Sequence, residues 1–201
     1  MKRSLWMLGL VVLLSGCLSQ QHYEDLMGSL DDVETLKSSD QEQNQRIRDL
    51  ENVVKDLQSG LSSEISTQGV TVSSTSADEG VRVTLPQAVL FPSGSVVVDA
   101  NGRKILANVA KSLTKASDNP IRIVGHTDSL PVGETLKARF TDNWELSSAR
   151  AAAVARLLVW GNGIAQDRIQ IEGRGAADPV ADNRSEEGRD QNRRIEIFIA
   201  G

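Results

Sequence analysis

The chain has one cysteine, Cys17, in 201 residues, so no internal disulfide can close. Histidine is nearly as scarce: His22 and His126 are the only two, and no group of carboxylates stands at metal-ligand spacing around either. Neither a metal centre nor another cofactor is expected. Aromatic residues make up 3% of the chain, so Val, Ile, Leu and Ala must fill its core. Long apolar runs are missing too. The longest, Leu5 to Leu14, is too short to span a bilayer as a permanent helix. With 39% hydrophobic residues, this length supports one ordinary core rather than two.

What is present begins with a leader. Lys2 and Arg3 precede the apolar run, as in the charged and hydrophobic regions of a secretory signal. Leu14-Ser15-Gly16-Cys17 follows and resembles a bacterial lipobox, which implies cleavage behind Gly16 and acylation (palmitate among the chains) of Cys17. The competing reading is a secretory signal with an incidental cysteine. Leu18, rather than Asp, after Cys17 implies by the same resemblance the outer membrane, with the protein lipid-anchored and facing the periplasm. The expected division is 1–16 signal peptide, 17–66 lipidated acidic stalk, 67–201 globular domain.

Charge separates stalk from domain. Cys17 to Gly80 carries 4 basic and 13 acidic side chains, net −9, and Val81 to Gly201 carries 16 and 14, net +2. An acidic stalk is repelled by nucleic acid and by anionic lipid, so neither is expected to bind it. From Leu26 to Glu64 a heptad register places Leu26, Val33, Asp40, Ile47, Val54 and Leu61 at a, with Ser29, Leu36, Gln43, Leu50, Leu57 and Glu64 at d. Eight of these twelve are apolar. An isolated helix of this kind is marginal, so a homo-oligomeric coiled coil is expected, dimer or trimer; a flexible acidic tether is the alternative.

Beyond the stalk the pattern changes period. Val70-Thr71-Val72-Ser73 and Val81 to Leu85 alternate like the arms of a hairpin, and Asp78-Glu79-Gly80 supplies its turn. Asp99 suits the N-cap of a helix to about Ala116, with Ile105, Leu106, Val109 and Leu113 inward. A strand follows at 121–126, a helix from Asn143 to Trp160, a strand at 168–172, a helical turn near 185–189 and a last strand at 195–199. Two strands and a helix, then strand, helix, strand and strand, predict an α/β (α+β) sandwich, with a mixed β-sheet and helices on one of its faces.

The chemistry concentrates between Gly125 and Arg150. Thr127 and Asp128 fall at the end of a β-branched strand, where sites collect. At 100° per residue Asn143, Ser147 and Arg150 share one polar sector of the next helix. If that sector faces the strand end, a carboxylate and a guanidinium meet across a cleft. Such a pair suits a zwitterion, the acid accepting from an ammonium and the planar fork gripping a carboxylate. A plain salt bridge between Asp128 and Arg150 is the other reading.

The ordered series Gly125-His126-Thr127-Asp128, then Asn143-Trp144-Glu145-Leu146-Ser147-Ser148-Ala149-Arg150-Ala151, Ile171-Glu172-Gly173-Arg174-Gly175, Asp178-Pro179 and Asn192-Arg193-Arg194-Ile195-Glu196-Ile197 resembles the OmpA/MotB-type peptidoglycan-binding domain family. Leu90-Phe91-Pro92-Ser93-Gly94-Ser95 before a helix matches its opening. The long interval between Asp128 and Asn143 looks more like the MotB branch than the shorter OmpA loop. The resemblance implies non-covalent binding of the diaminopimelate side branch of peptidoglycan. Asp128 would take its ammonium and Arg150 its carboxylate, with Asn143, Thr127 and Arg193 lining the pocket. The expected function is a non-enzymatic tether of envelope to cell wall. The alternative is an envelope-complex or flagellar-motor component acting through protein contacts at residues 129–142.

Other chemistry fits poorly. Ser129 has no nucleophile-elbow sequence, and His126 is expected to pack at the strand end, hydrogen-bonded to neighbouring backbone. Gly173-Arg174-Gly175 is more suited to a tight turn than to a phosphate loop. Arg184, Arg189, Arg193 and Arg194 form the most basic patch. It either pairs with Glu186, Glu187 and Asp190 or sends Arg193 to an anionic ligand.

Overall fold

The computed structural model describes the backbone of residues 3–75, 80–115 and 119–200, with side chains from Asp32 onward within those stretches except at position 75. The chain divides into two compact units, Met1–Arg46 and Ile47–Gly201. The first is helical, formed from the part of helix α1 (Arg3–Gly60) up to Arg46, and the remainder of α1 belongs to the second. The side chains of the expected leader and of Cys17 lie outside the described residues. Val33 and Leu36, at a and d of the heptad register, are exposed. The described residues contain no helix long and apolar enough to cross a membrane.

The second unit begins ahead of the expected boundary at residue 67. Val53, Leu57 and Leu61 are 2%, 0% and 0% exposed, and Leu50 and Val54 pack against the same core. An a/d stripe is apolar whatever covers it, and here the chain's own domain covers its second half. Each such Leu, fully buried, contributes roughly 1.5–3 kcal/mol. Helix α2 (Ser62–Thr67) then leads into strand β1 (Thr71–Thr75), which pairs antiparallel with β2 (Gly80–Pro86). The hairpin is as expected, and its turn lies outside the described residues.

Helix α3 (Gln87–Leu90) follows Pro86 directly, then α4 (Ala100–Lys115), β3 (Ile121–Gly125), the single turn α5 (Glu134–Lys137) and α6 (Asn143–Arg156). Asp99 caps α4 as its sequence suggests, its Oδ1 accepting from the Gly102 amide at 2.7 Å. Helix α6 passes into a π-helical turn, Leu157–Gly161, before Gly163 ends the run at φ +77°. A 3₁₀ turn (Gln166–Arg168), β4 (Ile169–Gly173), α7 (Glu186–Asn192) and β5 (Arg194–Ile199) complete the chain.

The five strands lie in the order β1-β2-β5-β3-β4. β3 pairs parallel with β4 and antiparallel with β5, so the sheet is mixed, and the last strand fills its middle. Alternation sends Val81, Val83, Leu85, Ile121, Ile123, Ile195, Ile197 and Ile199 into one core with Ile105, Leu106, Val109 and Leu113 of α4 and Ala151, Val154 and Ala155 of α6. This is the α+β sandwich the sequence predicted. A smaller cluster, Val96, Val132, Leu136 and Leu146 with Phe140 beside it, holds the 129–142 insertion against α6.

Candidate functional site

Helix α6 crosses the sheet very closely, which sets the position of everything polar on it. A Cβ at Gly125 would stand 2.2 Å from the Ser147 carbonyl oxygen, so only glycine lets β3 approach the helix there. The start of α6 is held by Asp142, whose Oδ1 accepts from the Glu145 amide at 2.9 Å, while Glu145 reaches back to the Thr141 amide. Ser147, in the expected polar sector, is fully buried. Its hydroxyl donates to the Trp144 carbonyl and accepts from the Gly175 amide, tying the loop after β4 to the helix. Gly175 takes φ +51°, a tight turn, while Gly173 ends β4 where a Cβ would stand 2.6 Å from the Ser148 amide nitrogen.

The end of β3, the start of α6, α3 and the insertion enclose a cleft of about 620 Å³. Asp128, Arg150, Asn143, Thr127 and Arg193 all line it. Asp128 and Arg150 are 7% and 5% exposed, and they do not pair with each other. Asp128 instead accepts from the Leu130 amide at 3.0 Å through Oδ1 and from Arg193 at 2.5 Å through Oδ2. Thr127 donates to the Asp128 carbonyl, and Asn143 donates to the Asp128 and Leu130 carbonyls, bracing the strand end against α6.

Among the described residues Arg150 finds neutral partners. Its Nε donates to the Ser95 carbonyl at 3.3 Å, its Nη1 to Gln87 Oε1 at 2.5 Å, and its guanidinium lies 5.7 Å from the Phe91 ring centroid. Burial lowers its pKa from the ordinary arginine value to about 10; Asp128 partly offsets this, and the like charge of Arg193 adds to it. Arg193 is placed oppositely. It bonds to Asp128, to Glu186 at 2.8 Å and, very closely, to Asp190, and these partners hold its pKa above the ordinary value although burial works against them. The cleft is therefore lined by four carboxylates, Asp99, Asp128, Glu186 and Asp190, against two guanidiniums.

The rest of the basic patch is spent on pairs: Arg184 on Asp182, Arg189 on Glu186, and buried Arg194 on Glu196 at 2.7 Å. His126 packs at the strand end as expected, but its ring makes no hydrogen bond. Only its backbone amide bonds, to the Arg194 carbonyl, and the ring Nε2 stands 3.7 Å from Glu196. Gln87 escaped sequence reading altogether, since it belongs to no motif and meets Arg150 across 63 positions.

Fold and cleft together define a small α+β domain whose cleft lies where a strand ends against the first turns of a helix. The chain belongs to the OmpA family, whose model matches residues 90–193. It is 34% identical over 133 residues to Probable lipoprotein YiaD of Escherichia coli, a match covering 66% of this chain; it spans 57% of that curated relative, a little over half its length. Among solved structures, the cell wall anchor of the T6SS from Pseudomonas aeruginosa superposes with a TM-score of 0.64 at 36% identity, over 72% of this chain and 96% of the other. A MotB-like protein from Desulfovibrio vulgaris does so at 0.68 and 27% identity, over 79% and 94%.

Proposed function

We propose that the cleft binds peptidoglycan without covalent attachment, through the zwitterionic head group of diaminopimelate in the stem peptide. Arg150 receives the carboxylate and Asp128 the ammonium, with Thr127, Asn143 and Arg193 lining the pocket. The observation that carries this reading is Arg150, a buried cation facing a cleft with no carboxylate in contact among the described residues. A buried charge lacking a counter-charge is costly, and a ligand carboxylate removes that cost on binding. The surplus of acids opposite suits the ammonium, which approaches Asp128 beside Arg193.

Cys17 carries lipid and anchors the chain to the outer membrane, the helical stalk pairs with further copies of itself, and the domain holds the wall. The relatives support an envelope setting: one is named a probable lipoprotein, and one structure is described as a cell wall anchor. A second reading has the protein acting in an envelope or flagellar complex through the 129–142 insertion. Its support is the insertion's separate small core, the exposed Leu130 and the MotB-like neighbour. Purified sacculi separate the two. Co-sedimentation of the wild-type chain should be lost in Asp128→Ala and Arg150→Ala; retention by both folded variants would favour protein contact. Mass spectrometry of the N-terminal peptide tests the lipid on Cys17.

A further inference from the structure

The residue bonded to Arg150 in the wall of the cleft is Gln87, at the join of β2 and α3. A guanidinium has no acceptor, so the Gln87 atom 2.5 Å from Arg150 Nη1 must be the amide oxygen. Its backbone amide donates to the Arg193 carbonyl at 2.9 Å, which ties its position to the residue that grips Asp128. The side chain is half-buried and lines the cleft. With the oxygen spent on Arg150, what remains to offer a ligand is the amide NH₂, a pure donor.

We propose that Gln87 is a specificity-determining residue of this site: together with Arg150 it presents donors alone, so the cleft selects a ligand whose carboxyl group is free and ionised over one whose carboxyl group is amidated. The inference rests on the wall-binding reading above and deepens it. A carboxylate accepts from both Arg150 and the Gln87 amide. A carboxamide seated there sets its own NH₂ against the Arg150 guanidinium and the Gln87 NH₂, both donors, and a donor facing donors in a buried site weakens binding. Neutrality at position 87 matters as well. Glutamate there would pair with Arg150 and close the site from within.

The test uses the full-length chain and two synthetic probes, L-alanyl-γ-D-glutamyl-meso-diaminopimelate with its D-centre carboxylate free, and the same tripeptide amidated at that carboxylate. Titration calorimetry should give the free acid an affinity at least about tenfold above the amide, the effect of one charge-assisted hydrogen bond. Gln87→Met, which keeps the size and removes the donors, should shrink that ratio, a quantity that a general loss of folded protein leaves unchanged. Gln87→Glu should abolish binding of the acid while its melting temperature rises above wild type, because a buried cation gains a counter-charge. An unchanged acid-to-amide ratio in Gln87→Met, wild-type binding of the acid by Gln87→Glu, or a lowered melting temperature in the latter overturns the role of Gln87 alone. Failure of the wild-type chain to bind either probe overturns the wall-ligand reading, and this inference with it.

Discussion

At the scale of single residues, the domain keeps charges that serve the cleft at some expense to the fold. Arg150→Met retains the apolar stem and removes a buried cation with no carboxylate in contact, so its melting temperature should equal or exceed that of wild type while sacculus binding is lost. Thermal melts beside co-sedimentation check this, and a strongly destabilised Arg150→Met would assign the arginine to the fold. Glu196 behaves in the opposite way. Burial pushes its carboxyl pKa up, but His126 and Arg194 outweigh it and bring it from 4.5 to about 2. A folded-state pKa below the unfolded one gives stability that is present above 4.5 and lost as the pH falls from there towards 2. The melting-temperature gap between wild type and Glu196→Gln should therefore narrow through that window; a gap independent of pH would contradict the assigned cause.

Elements decide how accurately those residues are held. The N-cap Asp142 satisfies the first turn of α6, the turn that carries Asn143, so Asp142→Ala should cost about 1 kcal/mol, read as a fall of about 2–4 °C in melting temperature. Gly125→Ala should be worse, because its Cβ meets backbone, which can yield only if α6 moves off β3. Loss of wall binding should accompany loss of stability in that variant, since Arg150 rides on the displaced helix. The strands and long helices were legible in the sequence, as periods of two and of 3.6 are written locally. The short turns α3 and α5 were not. They lie in loop-like stretches of four residues each, and packing of Leu90 and Leu136 against the rest of the domain holds them.

On the scale of the whole molecule, the end of α1 belongs to the domain. A chain beginning at Ile47 should fold cooperatively, whereas one beginning at Gln68 loses Val53, Leu57 and Leu61 from the core and should melt at least about 10 °C lower. Equal melting temperatures would return those side chains to the stalk. Val33, Leu36 and Ile47 remain exposed at a and d positions, and pairing between stalks should run through them. Sedimentation should find a larger species for residues 17–201 than for residues 47–201. By itself the sequence determined the succession of strands and long helices, the mixed sheet they form, the family and three of the six charged residues at the cleft, Asp128, Arg150 and Arg193, because periodicity and motif order are local properties of the chain. Only the tertiary structure decided which charge each of those residues meets: Asp128 takes Arg193 across 65 positions, Arg150 takes Gln87 and Ser95, and the second half of the heptad stripe takes its own domain. A guanidinium donates to any oxygen in reach and an apolar stripe packs under any apolar cover, so the choice among partners belongs to the folded chain.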